Sequence, residues 1–421
     1  MSIRRYKTGN HPYHSYHSRS FDRHMVTKKK KWPFVLLLLV GCIGAYVMWR
    51  ITAPLPEIKT SVVYRASSAP QPQAFMWPEN GESAIAIEGQ GVVAQKNKQE
   101  TVQPIASTAK LITALAILEK KPLKINEKGP VITLNQADVD IFNSYYVRDG
   151  STTAVAADLE LSEYQMLQGI LISSSNNYAD SMAIWAFGSL EKYRTFAQQY
   201  VRSIGAKQTT IGEDASGFSP TTTSTTYDLA LIGLAASRHP VIQQIMAQPS
   251  VELPVAGRKN NTNWSLGESG IIGGKTGNTN EAKGMFVAIA KHTVAKQPVK
   301  IVVAIKGAPT VDEAIRQAQD ILEKNNSYIR FETIIPTSTP LIRIKSHWGQ
   351  QATGQLSKHL QDIVWNNQKA DVLVQQRPLK APLKTGDIVG QVRYKSIQKP
   401  IVVDTAITHP SLWWKISQPI W

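Results

Sequence analysis

The chain contains 421 residues, 42% of them hydrophobic, and is therefore long enough to form two domains with buried cores. Its formal net charge of +16 is unevenly placed: residues 1–31 hold nine Lys or Arg and one acidic residue, and no basic, aromatic-rich helix follows, which argues against nucleic-acid binding. The single cysteine, Cys42, excludes an internal disulfide and a cysteine-based metal site.

The N-terminal segment predicts attachment to a membrane. Residues 1–31 are expected to be a disordered basic tail, and its four irregularly spaced histidines have no expected metal role: His11, His14, His17 and His24. Residues 32–49, WPFVLLLLVGCIGAYVMW, carry no charge over nearly the length of a membrane-spanning helix, roughly 20 residues. Trp32 and Trp49 sit at its ends, and four lysines precede it. The positive-inside rule predicts a single-pass cell-membrane protein with a cytoplasmic N-terminus and an extracytoplasmic remainder.

Two alternatives to an uncleaved transmembrane helix stay open. A signal peptide would be cleaved after small residues, but the segment remains apolar beyond Gly44 and Ala45. Leu39-Val40-Gly41-Cys42 resembles a lipobox in which Cys42 is acylated, but an apolar stub would then remain beside the lipid. A single uncleaved span is the favoured interpretation.

Residues 50–72 contain four prolines and few large apolar side chains, which predicts a linker. A domain is then expected over residues 73–328. Residues 83–87 and 91–94 predict a pair of strands, and residues 107–119, STAKLITALAILE, predict a helix that is apolar nearly all round and therefore buried.

Further elements define the fold class. Helical patterns occur at residues 162–172, 177–187, 190–203, 226–237 and, after a Thr310–Glu313 capping box, up to about residue 324. Strands are expected at residues 284–291 and 300–306. This order predicts an α/β (α+β) fold in which an antiparallel sheet is flanked by helices and joined to an all-helical lobe. Residues 329–421 predict a small C-terminal β-rich domain, in which Trp413 and Trp414 are interpreted as packing residues, with membrane contact as the alternative.

The first candidate catalytic pair lies at the start of the buried helix. Ser107-Thr108-Ala109-Lys110 places Lys110 over Ser107, because residues i and i+3 share a helix face. Burial and a nearby positive charge lower the pKa of a lysine, which can then accept the proton of a serine nucleophile. Taken alone, Ser107 is equally well explained as an ordinary N-cap.

Two more strings follow in order. Ser174-Ser175-Asn176 is expected between two helices, where Ser174 can relay a proton and Asn176 can hold a substrate amide or orient Lys110. An overlapping match that begins at Ser175 remains open, and so does a plain polar turn. Lys275-Thr276-Gly277 precedes an apolar strand, so Lys275 and Thr276 are expected on a strand edge that binds a terminal carboxylate.

Similar strings elsewhere do not fit this pattern. Ser189–Lys192 is interpreted as a solvated helix start, and Ser396–Lys399 lies in β-rich sequence, where positions i and i+3 face opposite ways. Lys384-Thr385-Gly386 is flanked by prolines and Asp387, which indicates a surface turn.

Residues 75–325 resemble the D-alanyl-D-alanine carboxypeptidases, the low-molecular-mass penicillin-binding proteins. The resemblance includes the three strings, the first two within residues 106–111 and 174–180, and two further stretches at 214–220 and 224–228. Beyond this range, residues 378–387 resemble a stretch of the C-terminal β domain that many members carry. It implies a penicillin-binding fold, with Ser107, Lys110, Ser174 and Asn176 as catalytic residues, and substrate bound by Lys275, Thr276, Gly277 and Asn278. The backbone N–H groups of Ser107 and Asn278 are implied as the oxyanion hole.

The same resemblance implies removal of the last D-alanine from peptidoglycan pentapeptide stems through an acyl-enzyme, with inhibition by β-lactams. No metal or cofactor is expected. A transpeptidase or endopeptidase on the same scaffold stays open, because it differs only in the amine involved. A β-lactamase needs a further glutamate with an asparagine four positions on, which no glutamate between Asn176 and Lys275 has. A non-enzymatic wall-binding protein is disfavoured because Ser107 and Lys110 are both present.

Overall fold

The computed structural model describes residues 32–65, 75–366 and 370–418. The basic tail and its four histidines lie outside these residues, as do residues 66–74. The helices of the described part are α1 Trp32–Thr52, α2 Lys110–Lys120, α3 Gln136–Tyr146, α4 Glu163–Leu171, α5 Asn176–Phe187, α6 Leu190–Ser203, α7 Thr226–Arg238, α8 Pro240–Met246, α9 Val311–Lys324 and α10 Leu412–Ser417.

The strands are mostly short and all of their pairings are antiparallel. In the described part of the chain they are β1 Lys59–Val62, β2 Glu82–Ile87, β3 Gly91–Gln95, β4 Gln103–Pro104, β5 Val131–Thr133, β6 Glu160–Ser162, β7 Thr223–Ser224, β8 Ser250–Leu253, β9 Gly257–Asn260, β10 Ile271–Thr279, β11 Lys283–Val294, β12 Gln297–Ala308, β13 Ile329–Ile335, β14 Ile342–Lys345, β15 Gln351–Leu356, β16 Leu360–Trp365, β17 Val372–Gln376, β18 Ile388–Tyr394 and β19 Ile397–Val403.

The central sheet has the strand order β10-β11-β12-β2-β3 and carries helices on both faces. Alternate residues of β11 point to opposite sides, so Val287 packs towards α7 while Phe286 packs towards α9. α7 approaches closely through Gly233, where an added Cβ would lie 2.5 Å from Val302 Cγ1. The predicted antiparallel sheet flanked by helices is confirmed.

The helical lobe surrounds α2, which contacts α4, α5, α6 and α7. Every residue of α2 from Lys110 to Leu118 is buried, as its all-apolar pattern predicts. The four helices expected around residues 162–237 are present as α4, α5, α6 and α7. Helices α3 and α8 were not predicted.

A second sheet, of order β1-β14-β15-β19-β18-β17, forms the C-terminal β-rich region with its own core. Its first strand comes from the segment expected to be a linker. Lys59 pairs with Lys345 and Val62 with Ile342, and Ile58 is buried in the same core. The segment at residues 50–72 is therefore not a plain linker, because part of it is an edge strand of the C-terminal sheet.

α1 is the helix in the described residues that is long and apolar enough to cross a membrane. Its side chains are exposed along nearly its whole length, apart from Val47, Arg50 and Ile51 near its C-terminal end. An apolar helix without a protein environment fits burial in lipid.

Candidate active site

A 3₁₀ turn, Ala106–Ala109, leads into α2 and presents the first serine–lysine pair. In a 3₁₀ helix residues i and i+3 eclipse each other, which is closer than the α-helical spacing expected from the sequence. Lys110 Nζ donates to Ser107 Oγ at 2.8 Å. Ala106 starts the turn at φ +44°, a backbone conformation that no sequence pattern indicates for alanine.

The amine of Lys110 is completely buried and has only neutral acceptors as hydrogen-bond partners. Besides Ser107, Nζ donates to Asn176 Oδ1 at 2.7 Å and to the carbonyl oxygen of Ser216 at 2.9 Å. Burial lowers the pKa of Lys110 to about 7, against the opposing influence of Asp214 and Asp180. A lysine with this pKa is substantially neutral near pH 7 and can take up a proton from Ser107.

A second serine–lysine pair lies on two other elements. Ser174, at φ +61° between α4 and α5, accepts a hydrogen bond from Lys275 Nζ at 2.9 Å. Lys275 is also completely buried and donates to the carbonyl oxygen of Thr276 at 3.0 Å. Burial, together with the charge of Lys110, lowers the pKa of Lys275 well below its usual value. The two lysines are therefore electrostatically coupled within one site.

The contacts at the start of α5 differ between the string that begins at Ser174 and the overlapping string that begins at Ser175. Ser175 is the N-cap of α5, and its hydroxyl accepts from the N–H of Tyr178 at 3.3 Å. Asn177 turns away from the site and binds the backbone of Thr153 through both ends of its amide. Asn176 is the residue that contacts Lys110, so the geometry favours the match that begins at Ser174.

Strand β10 carries Lys275, Thr276, Gly277 and Asn278 along the edge of the central sheet. An added Cβ at Gly277 would lie 3.1 Å from the backbone nitrogens of both Ser107 and Thr108. The strand edge therefore runs directly past the serine turn, and a side chain at position 277 would crowd the backbone of that turn. Thr276 donates to Thr262 Oγ1 at 2.7 Å, and Asn278 is exposed at the end of the strand.

The loop that supplies the third partner of Lys110 was not predicted from the sequence. Asp214 Oδ1 accepts from the N–H groups of Ser216 at 2.7 Å and Gly217 at 2.6 Å, which folds the loop so that the Ser216 carbonyl faces Lys110. Gly217 has φ +71°, and a Cβ there would meet the Ala106 carbonyl oxygen at 2.1 Å. The stretch at residues 214–220 was noted as a family-like segment, but no role was assigned to it.

A buried tyrosine–aspartate pair supports that loop from behind. Tyr145, the penultimate residue of α3, donates to Asp180 Oδ2 at 2.6 Å, and Asp180 Oδ1 accepts from the N–H of Ala215 at 2.8 Å. Burial raises the pKa of Asp180 to about 6. The sequence signal that could have indicated α3 is the Asn135–Asp138 capping box, in which both hydrogen bonds are formed.

The strings set aside earlier lie apart from this site. Ser189 caps α6 by accepting from the N–H of Lys192 at 3.2 Å, which is an ordinary solvated helix start. Lys384 donates its backbone N–H to Asp387 at 2.7 Å in an exposed turn of the C-terminal region.

A serine beside a buried lysine at the start of a buried helix, next to a strand edge that carries a second buried lysine, is the arrangement expected of penicillin-recognising serine enzymes. A model of the peptidase family S11, described as D-alanyl-D-alanine carboxypeptidase, matches residues 70–307. Because this match spans more than half of the chain, the chain belongs to the D-alanyl-D-alanine carboxypeptidase family of serine-type hydrolases.

Curated relatives carry two kinds of name. The D-alanyl-D-alanine endopeptidase of Pseudomonas aeruginosa is 27% identical over 266 residues, which cover 58% of this chain and 79% of that protein. The D-alanyl-D-alanine carboxypeptidase DacC of Escherichia coli is 24% identical over 329 residues, which cover 74% of this chain and 80% of that protein.

Among solved structures, the D-alanyl-D-alanine carboxypeptidase DacD from Francisella tularensis superimposes with a TM-score of 0.61 at 16% identity. The superposition covers 83% of this chain and 98% of that one. At this identity the likeness establishes the fold, and the predicted penicillin-binding-protein fold with a C-terminal β-rich domain is confirmed.

Proposed function

We propose that this chain removes the terminal D-alanine from peptidoglycan pentapeptide stems through an acyl-enzyme formed on Ser107. The observation that carries the proposal is the position of Lys110 Nζ, 2.8 Å from Ser107 Oγ in a fully buried environment. Serine becomes an effective nucleophile only when a base takes its proton, and a lysine with a pKa of about 7 at this distance can supply that base.

Acylation follows from the geometry around that pair. The Ser107 hydroxyl passes its proton to Lys110 as Oγ attacks the carbonyl carbon between the two D-alanines. Negative charge then develops on the carbonyl oxygen, and we assign its stabilisation to the backbone N–H groups of Ser107 and Asn278. Gly277 supports this assignment, because its closeness to the Ser107 nitrogen brings the two donors to one region.

Collapse of the intermediate requires a proton for the departing D-alanine amine. We assign this role to Ser174, whose hydroxyl is held by Lys275 at 2.9 Å. The proton that Lys110 took from Ser107 then replaces the one that Ser174 gave, which leaves Lys110 neutral. Asn176 orients Lys110 and is available to hold a substrate amide. Water then attacks the Ser107 ester while Lys110 takes one of its protons, and the return of that proton to Ser107 Oγ releases the shortened stem and restores the serine.

The terminal carboxylate of the substrate is assigned to Lys275 and Thr276, with the substrate backbone laid along the open edge of β10. Lysine and hydroxyl donors suit a carboxylate, and a free strand edge accepts an extended peptide by β-augmentation. The carboxylate of a β-lactam would occupy the same position, which supports inhibition by these compounds.

A second candidate activity is cleavage of cross-links between stems. Two relatives at 27% identity are named D-alanyl-D-alanine endopeptidase, from Pseudomonas aeruginosa and Escherichia coli. An endopeptidase forms the same acyl-enzyme but expels an amine that belongs to a second stem. A transpeptidase would run the exchange in the opposite direction.

We further propose that α1 is an uncleaved transmembrane anchor, with residues 1–31 in the cytoplasm and the catalytic part outside. The lysines before Trp32 and the apolar, exposed surface of α1 support this topology. We also propose that residues 73–328 form the catalytic domain and that residues 329–421, together with β1, form the C-terminal β-rich domain.

The test is covalent labelling with fluorescent penicillin followed by product analysis. Ser107→Ala is expected to abolish labelling, whereas the matched control Ser189→Ala labels like the parent. Labelling that persists in Ser107→Ala would place the nucleophile elsewhere. Incubation with a pentapeptide muropeptide should release free D-alanine and a tetrapeptide. Splitting of cross-linked dimers identifies an endopeptidase instead, and formation of new dimers identifies a transpeptidase.

A further inference from the structure

Arg148 lies in the turn that follows α3, and two aromatic rings hold its exposed guanidinium. The guanidinium carbon is 5.0 Å from the ring centroid of Tyr145 and 5.2 Å from that of Phe218. These two rings, here called the aromatic clamp, meet edge-on with their centroids 5.5 Å apart. Arg148 Nε also donates to the carbonyl oxygen of Ser144 at 2.8 Å. Two cation–π contacts and a hydrogen bond therefore orient this side chain.

Both rings of the aromatic clamp belong to elements that position Lys110. Phe218 lies two residues after Ser216, whose carbonyl oxygen accepts from Lys110 Nζ at 2.9 Å. Tyr145 donates to Asp180 at 2.6 Å, and Asp180 supports the same loop from behind. The clamped guanidinium is thus attached to the framework of the candidate active site.

The residues that follow Arg148 pack against the Asn176 side of the site. The carbonyl oxygen of Ser151 accepts from the backbone N–H of Asn176 at 2.7 Å. An added Cβ at Gly150 would lie 2.9 Å from Asn176 Nδ2. The same Asn176 side chain accepts from Lys110 through Oδ1. Arg148 is therefore two residues from a backbone position that touches the site, and it lies at the edge of the cleft.

The guanidinium has no carboxylate partner within the part of the chain that the structure describes. No ion pair found there includes Arg148, and its neighbour Asp149 is not paired with it. A guanidinium carries five N–H donors in a planar fork that fits a carboxylate through two parallel hydrogen bonds. Nε uses one of these donors on Ser144, so the four N–H groups of the two Nη atoms are available to a ligand.

The proposed mechanism directs the rest of the stem peptide towards this edge of the cleft. The terminal carboxylate is assigned to Lys275 and Thr276, so the residues before the scissile bond extend from Ser107 in the other direction. Asn176 is available to hold an amide of that acyl part. The turn at residues 147–149 adjoins Asn176 through the backbone contacts described above. Stem residues that precede the acyl D-alanine are therefore expected to pass the clamped guanidinium.

We propose that Arg148 binds a free carboxylate on the stem, one or two residues before the D-alanine that acylates Ser107, and makes the enzyme selective for stems that carry it. This inference rests on the proposed function and names the class of stem that the site accepts. The aromatic clamp favours binding, because a guanidinium that is already oriented loses little conformational freedom when the carboxylate arrives. Two sources supply such a carboxylate: the side chain of a dicarboxylic third residue, and the α-carboxylate of a γ-linked second residue.

The test compares four synthetic pentapeptides as substrates of the full chain, with free D-alanine as the product measured. The first has γ-linked D-glutamate followed by meso-diaminopimelic acid, so both carboxylates are free. The second has the diaminopimelate carboxylate as an amide, the third has the glutamate α-carboxylate as an amide, and the fourth has both amides. Amidation of the carboxylate that Arg148 binds should lower kcat/KM about tenfold, mainly through KM, because this contact exists in the bound substrate and in the transition state alike.

The variant and its control show whether this preference comes from the guanidinium. Arg148→Gln should remove the difference between the four peptides. Arg194→Gln, on the exposed face of α6, is the matched control and should keep the preference of the parent. Benzylpenicillin has no free carboxylate in its acyl side chain, so labelling of Ser107 should persist in Arg148→Gln and show that the variant is folded. The single amide that lowers kcat/KM in the parent identifies which carboxylate is bound.

The outcomes separate this inference from the proposed function. Release of D-alanine from all four peptides without a preference leaves the proposed function standing and overturns the inference. An equal loss with every peptide in Arg148→Gln assigns this residue a structural role, and a preference that survives the substitution shows that another group binds the carboxylate. Both results also overturn the inference. If the parent releases no D-alanine from any peptide, the proposed function and the inference fall together.

Reversal of the charge provides a second measurement. Arg148→Glu should make the doubly amidated peptide the best of the four substrates, because a like charge at this position repels a carboxylate. In the parent, the preference for the free carboxylate should shrink as salt is added, since screening weakens an exposed ionic contact. A preference that depends neither on salt nor on the charge at position 148 would contradict the assignment.

Discussion

Buried lysines occur in two regions of the chain, and the regions differ in whether a carboxylate pairs with the amine. Lys306 of β12 forms an ion pair with Glu100, Nζ to Oε1 2.6 Å, and both side chains are almost inaccessible to solvent. Lys110 and Lys275 form no ion pair within the part of the chain described. A buried charge is stable when paired, whereas an unpaired amine tends to lose its proton.

The ion pair of Lys306 and Glu100, here called the structural pair, has several further hydrogen bonds. Glu100 also accepts from the hydroxyl of Thr226 at 2.6 Å and from its backbone N–H at the start of α7, so the carboxylate faces a helix N-terminus. In the active site, the partners of Lys110 are a hydroxyl, an amide and a backbone carbonyl. In the proposed mechanism, the absence of a paired carboxylate is what allows Lys110 to act as a base.

The largest effect is expected from removing that base. Lys110→Met should slow acylation by penicillin by roughly 10²–10⁴-fold at mildly alkaline pH, the usual contribution of a general base. Stopped-flow labelling measures this rate. Lys192→Met is the matched control, because it changes the lysine of the solvated Ser189 string and should leave the rate unchanged. A near-normal rate in Lys110→Met would remove this lysine from the mechanism.

Breaking the structural pair should cost stability. Glu100→Gln leaves Lys306 buried without its carboxylate, and we expect the free energy of unfolding of the catalytic domain to fall by about 3–5 kcal/mol. Loss of penicillin labelling across a urea series measures it. Glu88→Gln is the control, since Glu88 lies 3.9 Å from Lys300 in a partly exposed pair worth at most about 1 kcal/mol. Equal losses in both variants would contradict the distinction.

A single substitution can give Lys110 a carboxylate partner, as Lys306 already has. Asn176→Asp places a carboxylate at the atom that now accepts from Lys110 at 2.7 Å. An opposite charge at this distance favours the protonated amine, so the midpoint of the acylation pH profile should rise by about 1–3 pH units. Asn176→Ser, which stays neutral, should lower the rate without an upward shift. An unmoved midpoint in Asn176→Asp would show that Lys110 does not control the profile.

Local patterns in the sequence were sufficient for much of the fold. The apolar run of α2, the periodicity of α9 and the alternation in β2 are properties of neighbouring residues, and each matches the structure. The pairing of Lys59 with Lys345 could not be predicted, because it joins distant segments and β1, KTSV, has little apolar alternation. Its register depends on the assembled C-terminal core.

The candidate active site could also be predicted only where the signal lies in neighbouring residues. Ser107 and Lys110 could be paired because three-residue spacing is a local property, and Lys275 was recognised by its place before an apolar strand. The Ser216 carbonyl could not be predicted as a partner of Lys110, since any residue type carries a backbone carbonyl. The position of that group depends on Asp214 and on close packing at Gly217, which only the folded chain displays.

The pH dependence of acylation in the unmodified enzyme tests the central claim most directly. Burial lowers the pKa of Lys110 to about 7, and only the neutral amine can accept the Ser107 proton. The single-turnover rate of penicillin labelling should therefore be constant above about pH 7 and fall about tenfold for each pH unit below it. A midpoint near 10.5, the value for an ordinary lysine, or a rate independent of pH would contradict the account.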